Sequence, residues 1–435
     1  MVYKFNTKND SFEVDFTNFI NLKREQSKDV SDVVKEIISL VRSKGDRALV
    51  ELTHKFDRAD LDALGLTVAD TEIDHALDHG APETLDALRY AQKRIEAHHL
   101  RQVPVNDRYR DSAGVELGTQ WSAIESVGLY VPGGTATYPS SVLMNAIPAK
   151  VAGVKRIVMV HPATRGKINP LVLAAAKLAG VDEIYRIGGA QAIAALAYGT
   201  ESVRAVNKIV GPGNAFVAEA KRQVFGIVGI DMIAGPSEVV IVADDTVEPL
   251  WVAADLLAQA EHDTAAQAIV ITDNQALADA IELCVRQQVL ELPRHETALE
   301  SWQKLGAVIV LEDINQAPEI VDLIAPEHLE LMIRDADEMV SRISNAGAVF
   351  IGKYTPEVIG DYVGGSNHVL PTARTARFSS GLGVLDFMKR SSILKLTENC
   401  LRQLGPPAMV LAEAEGLSGH ARSVSVRLND QAKHD

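Results

Sequence analysis

Cysteine is nearly absent. Cys284 and Cys400 are the only two in 435 residues, each in a helix-like segment and far apart in the chain. That excludes a disulfide framework and a cysteine-rich zinc site, so any metal must be held by nitrogen and oxygen. Positive charge is also scarce, with 43 Lys and Arg against 58 Asp and Glu for a formal net charge of -15. Such a balance repels nucleic acid phosphates and anionic membranes unless a basic patch overrides it, and no such patch is visible. Apolar runs are short, none approaching the roughly 18 residues of a membrane span. The opening Met1-Val2-Tyr3-Lys4-Phe5-Asn6 has no apolar core to act as a signal peptide. A cytoplasmic protein without nucleic acid or membrane partners is therefore expected. What is present is globular: 47% hydrophobic and 23% charged residues, in a chain longer than the roughly 250 to 300 residues at which one core stops growing. At least two domains are expected.

The first hundred or so residues read as helical. Val34, Ile37, Ile38 and Val41 recur at helical spacing after a Ser31-Asp32 N-cap, and Leu85, Leu88, Ala91 and Ile95 repeat the pattern. His98-His99 closes that second helix, where cations suit the helix dipole, although the pair could also ligate. From about residue 126 the grammar becomes strand, glycine turn, helix. Residues 127–131 run into Pro132-Gly133-Gly134, 184–187 into Gly188-Gly189-Ala190-Gln191, and 208–210 into Gly211-Pro212-Gly213-Asn214. The rhythm resumes after Gly235-Pro236-Ser237 with apolar strands at 239–242, 268–271, 308–311 and 349–351. This alternation predicts an α/β fold of two parallel-sheet units. Past Pro371 a helix over 401–413 and an alternating Ser423-Val424-Ser425-Val426 edge strand are expected, in a tail too small to fold alone.

Glycine turns at the C-terminal ends of parallel strands are where α/β folds bind ligands, because helix N-termini and free N–H groups converge there. None of these turns completes the dinucleotide fingerprint. Gly211 and Gly213 supply the first two glycines, but Phe216 stands where Gly or Ala is needed, and Asp231 lies at ribose-acid distance. Elsewhere, Gln259 and His262 are three apart on one helix face, able to grip an ion or simply to meet water. Ala325-Pro326-Glu327-His328-Leu329-Glu330 places a carboxylate beside an imidazole at an expected helix start, where Glu327 could serve as a base or merely complement the dipole. Asp361-Tyr362 with Ser366-Asn367-His368, and Glu415-Gly416-Leu417 with His420, combine acid and imidazole in loops.

Together these motifs, with Gly128-Leu129-Tyr130-Val131-Pro132-Gly133-Gly134 and Gly235-Pro236-Ser237-Glu238, resemble the histidinol dehydrogenase family from near the start of the chain to its tail. The resemblance implies two incomplete Rossmann-like domains with parallel sheets, plus a helical N-terminal extension and a small C-terminal one that form an intertwined homodimer with shared active sites. The implied division is 1–27, 28–127 with 237–378 as the metal-binding domain, 128–236 as the dinucleotide-type domain, and 379–435. It further implies oxidation of L-histidinol through the aldehyde to L-histidine, with one zinc ion per subunit and two NAD per turnover. Zinc falls to Gln259, His262, Asp361 and His420, which with Ser237, His328, His368 and Glu415 also form the substrate site. NAD contacts fall to Tyr130, Gln191 and Asn214, and Glu327 and His328 become the acid/base pair, with neutral His328 near its working pH.

Two rival enzyme classes are separable. A thiol-dependent aldehyde dehydrogenase needs an activated cysteine, and neither Cys284 nor Cys400 has a glycine turn or histidine beside it. A zinc hydrolase could use the same donors without a nicotinamide. A non-enzymatic assembly protein would turn over no amino alcohol at all.

Overall fold

The computed structural model describes residues 2–22, 30–133 and 138–429. Gly134, at the end of the first glycine turn, lies outside them, as do residues 23–29 at the edge of the N-terminal extension. In chain order the strands are β1 (Tyr3–Asn6), β2 (Asp107–Arg110), β3 (Glu116–Ala123), β4 (Ser126–Tyr130), β5 (Arg156–Val160), β6 (Glu183–Tyr185) and β7 (Lys208–Val210). They continue as β8 (Gly229–Ile230), β9 (Glu238–Ala243), β10 (Gln267–Thr272), β11 (Ala307–Val310), β12 (His328–Met332), β13 (Ala348–Ile351) and β14 (Met388–Lys395).

Contacts divide the chain into two compact units, one of residues 1–102 and 124–387, the other of 103–123 and 388–435. The first unit holds two parallel sheets, as the alternating grammar predicts. One has the order β6-β5-β4-β7-β8, the other β1-β11-β10-β9-β12-β13. Strands β4, β9 and β10 are buried along their whole length, which is why they read as unbroken apolar runs. The five-stranded sheet packs one face on a core that includes Val34, Ile38 and Leu49 from the N-terminal helices. The six-stranded sheet has a core on each face.

The first hundred residues are not helical throughout. Tyr3 to Asn6 pair in parallel with β11, and Phe5 is fixed by Phe16 and Phe19, with ring centroids 6.0 and 5.2 Å away. The expected Ser31-Asp32 cap shifts by a residue: Val30 is the N-cap and Ser31 begins the helix. His99 is a packing residue, fully buried with Nδ1 2.7 Å from the Ile95 carbonyl oxygen.

The second unit is an antiparallel sheet of order β14-β3-β2 with a pair of helices, Glu398–Ala414 and Ser418–Asn429. The expected edge strand at 423–426 is therefore helix. Val424 and Leu428 both approach Gly405 of the facing helix, and Ala421 is buried. That spacing of three and four residues fits a helix face and outweighs the short alternation.

Candidate active site

Parallel pairing of β12 with β9 sets the centre of the site. His328 is in register with Val239, so Glu327 comes level with Glu238 at the start of β9. The Glu238 N–H donates to Glu327 Oε2 at 2.9 Å, and His328 Nδ1 lies 3.0 Å from the Glu238 carbonyl oxygen. With Nδ1–H donating there, Nε2 is the nitrogen left to work; it is buried without a hydrogen-bond partner and lies 3.6 Å from Asp361 Oδ1. The pair does not begin a helix. Ala325 caps the preceding Ala317–Ile324 helix in the left-handed region, φ 49°, and Pro326 leaves it into extended chain. Glu327 accordingly does not sit at a helix N-terminus.

The other residues converge on the same N-terminal edge of the six-stranded sheet. Gln259 ends the Pro249–Ala260 helix and is buried. With its amide oxygen toward the Glu238 N–H (2.6 Å), its nitrogen donates to Glu357 Oε1 at 3.2 Å. His262 follows in the turn after that helix and reaches solvent. Asp361 lies on the short Glu357–Tyr362 helix, and its carbonyl oxygen is 3.1 Å from Nδ1 of His368. Nε2 of His368 stands 3.4 Å from Ser141 Oγ on the Pro139–Ala152 helix, which follows β4. Asn367 fastens that loop by donating to the Met144 carbonyl at 2.7 Å. Ser237 immediately precedes β9 and is half-buried.

Carboxylates dominate the electrostatics. Burial opposes a charge on His328, yet Glu327, Glu357 and Asp361 together raise its pKa well above the ordinary imidazole value. Burial pushes Glu357 up to about 8. Burial also works to raise Asp361, but the neighbouring His328 imidazole brings it below the ordinary range. The surrounding protein lowers His262 and His368. Behind Glu357, Glu330 accepts from the Glu357 N–H at 2.7 Å and shares a hydrogen bond with Asp255, which burial raises to about 6.

Four of these acids, Glu238, Asp255, Glu330 and Glu357, escape the sequence reading. Asp255 carried a usable signal, four residues before Gln259 and hence on its helix face. Glu330, inside the apolar Leu329 to Met332 strand, was another.

The nucleotide candidates gather at the opposite type of edge, the C-terminal ends of the five-stranded sheet. Its strand order places the chain's switch point between β4 and β7, the crevice where dinucleotides bind in such folds. Tyr130 ends β4, and its buried hydroxyl accepts from the Gly189 N–H at 3.1 Å. Gln191 lies buried in the first turn of the helix that begins there. Asn214 follows β7 and caps the Ala215–Val224 helix through the Phe216 and Val217 N–H groups. Asp231 is no ribose acid. Its side chain is 1% exposed and ion-paired with Lys221; its Oδ2 accepts from the Gly211 N–H at 2.7 Å, while Lys221 Nζ donates to the Gly211 carbonyl at 3.0 Å. The pair clamps the two peptides that flank the Gly211 Cα. Gly211 is needed there because its φ is +109° and a Cβ would strike the Tyr130 carbonyl.

Among the described residues no three His, Cys, Asp or Glu side chains form a metal cluster. The first unit offers an imidazole, His262, a carboxylate, Asp361, and the Gln259 amide. Glu415 and His420 belong to the second unit, where both are exposed. The partnerless His328 Nε2 and Glu357 Oε2, amid excess carboxylate, make the first-unit site one that suits a cation.

A Rossmann-like sheet beside a buried carboxylate–imidazole cluster is the architecture of an α/β enzyme. A sequence model of histidinol dehydrogenase matches residues 21–428. The chain is 63% identical to histidinol dehydrogenase of Rhizobium meliloti over 429 residues, covering 99% of both chains. It is also 63% identical to that of Brucella suis over 418 residues, 96% of this chain and 97% of the relative. The crystal structure of histidinol dehydrogenase from Elizabethkingia anophelis superposes with a TM-score of 0.95 at 36% identity, over 99% of each chain. The chain belongs to the histidinol dehydrogenase family.

Proposed function

We propose that this chain oxidises L-histidinol through L-histidinaldehyde to L-histidine, the final steps of histidine biosynthesis, using two NAD per turnover and one zinc ion per subunit. The observation that carries the reading is the convergence of Glu327, His328, Gln259, His262, Asp361 and His368 on one sheet edge in a chain of this family. When held by Gln259, His262, Asp361 and His420, zinc would supply an anchor for the substrate's amine and imidazole nitrogens and a positive charge that offsets the carboxylates around His328.

His328, aimed by the Glu238 carbonyl, takes the hydroxyl proton at Nε2 as hydride leaves the carbinol carbon for the nicotinamide. Glu327, fixed by the Glu238 N–H, takes a proton from the water that adds to the aldehyde, and a second hydride transfer gives the acid. Ser237, His368 and Glu415 hold the substrate's other polar groups, so the reactive aldehyde stays bound between steps. Tyr130, Gln191 and Asn214 receive NAD. Functionally this divides the chain into a dinucleotide part at 128–236, a metal part from 28–127 and 237–378, an N-terminal extension at 1–27, and a tail at 379–435 that completes the partner's site in an intertwined homodimer. Among the described residues no helix is long and apolar enough to cross a membrane, which accords with a cytoplasmic enzyme.

The test is histidinol-dependent NADH formation with metal removed and restored. Chelation should abolish turnover and zinc restore it. His262→Ala should lose metal and activity together. Full activity in metal-free protein would overturn the ligand assignment.

A further inference from the structure

Dinucleotide folds commonly grip the adenosine ribose with a carboxylate beyond the second strand. In this sheet the second strand is β5, which ends at Val160 and is followed by His161 and Pro162. His161 is buried with Nδ1 3.0 Å from the Val131 carbonyl oxygen, and Pro162 packs closely on Gly133 and Gly188. Neither offers a carboxylate to a ribose diol. Asp231 is consumed by Lys221 and the Gly211 peptide.

One nearby carboxylate is uncommitted. Asp57 ends the Asp46–Asp57 helix, which packs against both the Gly189–Tyr198 helix and the Thr164–Gly166 turn just after β5. The chain leaves it through Arg58 at a left-handed φ of 56°. Asp57 Oδ2 is buried and has no hydrogen-bond partner among the described residues. Burial raises its pKa, and its charge adds to the desolvation that pushes Tyr130 up to about 12, so it lies within electrostatic reach of the hydroxyl at the head of the crevice. A buried acceptor left unmatched is costly to the free protein and is matched only by a donor from elsewhere.

We propose that Asp57 is the ribose-binding carboxylate of the dinucleotide site, accepting hydrogen bonds from the 2′ and 3′ hydroxyls of the adenosine ribose and so selecting NAD over NADP. The acid enters from a helix outside the sheet, which is why no sequence fingerprint marks it. A 2′-phosphate would bring like charges together at Asp57, whereas a free diol satisfies the orphaned oxygen. The proposal rests on the reading of Tyr130, Gln191 and Asn214 as the nucleotide turns.

Calorimetric binding of NAD and of NADP to the full-length zinc-loaded enzyme tests it, beside thermal unfolding and the KM for histidinol. Asp57→Ala should weaken NAD about tenfold or more. The ratio of NADP to NAD dissociation constants should fall about tenfold or more in both Asp57→Ala and the isosteric Asp57→Asn, with the histidinol KM unchanged. Because the carboxylate is unmatched in the free enzyme, Asp57→Asn should unfold at the same or a higher temperature, whereas a structural role would lower it. An unchanged ratio in the two folded variants overturns the proposal. Gln191→Ala tells the two failures apart. If it weakens NAD while the Asp57 variants do not, the Asp57 role alone falls; if none of the three affects NAD, the nucleotide reading falls with it.

Discussion

Glu327 and His328 adjoin in sequence but are held differently. Glu327 takes a backbone N–H on one carboxylate oxygen, while His328 gives its Nδ1 proton to a carbonyl and keeps Nε2 free. That difference predicts separable defects. Glu327→Gln preserves shape but cannot take a proton from water, so aldehyde oxidation should fall by about 10²-fold or more while alcohol oxidation suffers less. His328→Asn should slow the alcohol step. Stopped-flow traces with histidinol and with the aldehyde would show the split, and equal slowing of both phases by Glu327→Gln would count against it. The two residues were legible because a carboxylate beside an imidazole is a chemical pattern that survives in one dimension. Glu357 was not, since its importance lies in a 2.7 Å contact between its N–H at a helix start and Glu330 on a strand. The carboxylate surroundings of His328 were illegible for the same reason, as Glu327 precedes β12 whereas Glu357 and Asp361 share the later Glu357–Tyr362 helix.

At the scale of elements, parallel strands announced themselves by full burial, and helices by spacing. Misreadings fell where a short segment fitted two periods, at 423–426, or where a left-handed cap redirected the chain, at Ala325. Asp231 was misread differently: its distance from Gly211 was right, but burial beside Lys221 gives it a structural role. Removing one member of that pair leaves a buried charge unmatched, so Asp231→Asn or Lys221→Met should destabilise by about 3–5 kcal/mol, and replacing both with apolar residues should recover much of the loss. Denaturant titrations of the two singles and the double would measure this; additive losses would reject the pairing as the source. A second pair joins β5 to β6. Arg156 bonds Glu183 at 2.7 Å, and these bonds lower Glu183 from its ordinary 4.5 to about 2. A depressed carboxyl contributes stability that is complete above the unfolded pKa and lost as pH falls through the folded one. Glu183→Gln should therefore flatten the acid limb of the stability curve between pH 4.5 and about 2, measured by thermal unfolding across that range; an unchanged slope would assign the acid limb to other groups.

For the whole molecule, the decisive residues are those of the second unit. Glu415 and His420 are exposed there, and Leu394, Val410, Leu411 and Val426 of the same unit are exposed as well, more apolar surface than a free-standing hairpin and small sheet should show to water. A second copy of the chain would cover it, and closed two-fold pairing would let each tail donate His420 and Glu415 to its partner's metal site. A separated monomer would then be inactive. Co-expressing an inactive His262→Ala chain with an inactive His420→Ala chain tests the exchange. In a mixed dimer with crossed tails, one site carries both defects and the other carries none, so activity should return toward half the wild-type value per dimer. If each chain supplies its own tail, every site carries one defect and none recovers. Zero activity in verified mixed dimers would reject the crossing while leaving the proposal of Gln259, His262 and Asp361 as metal ligands standing.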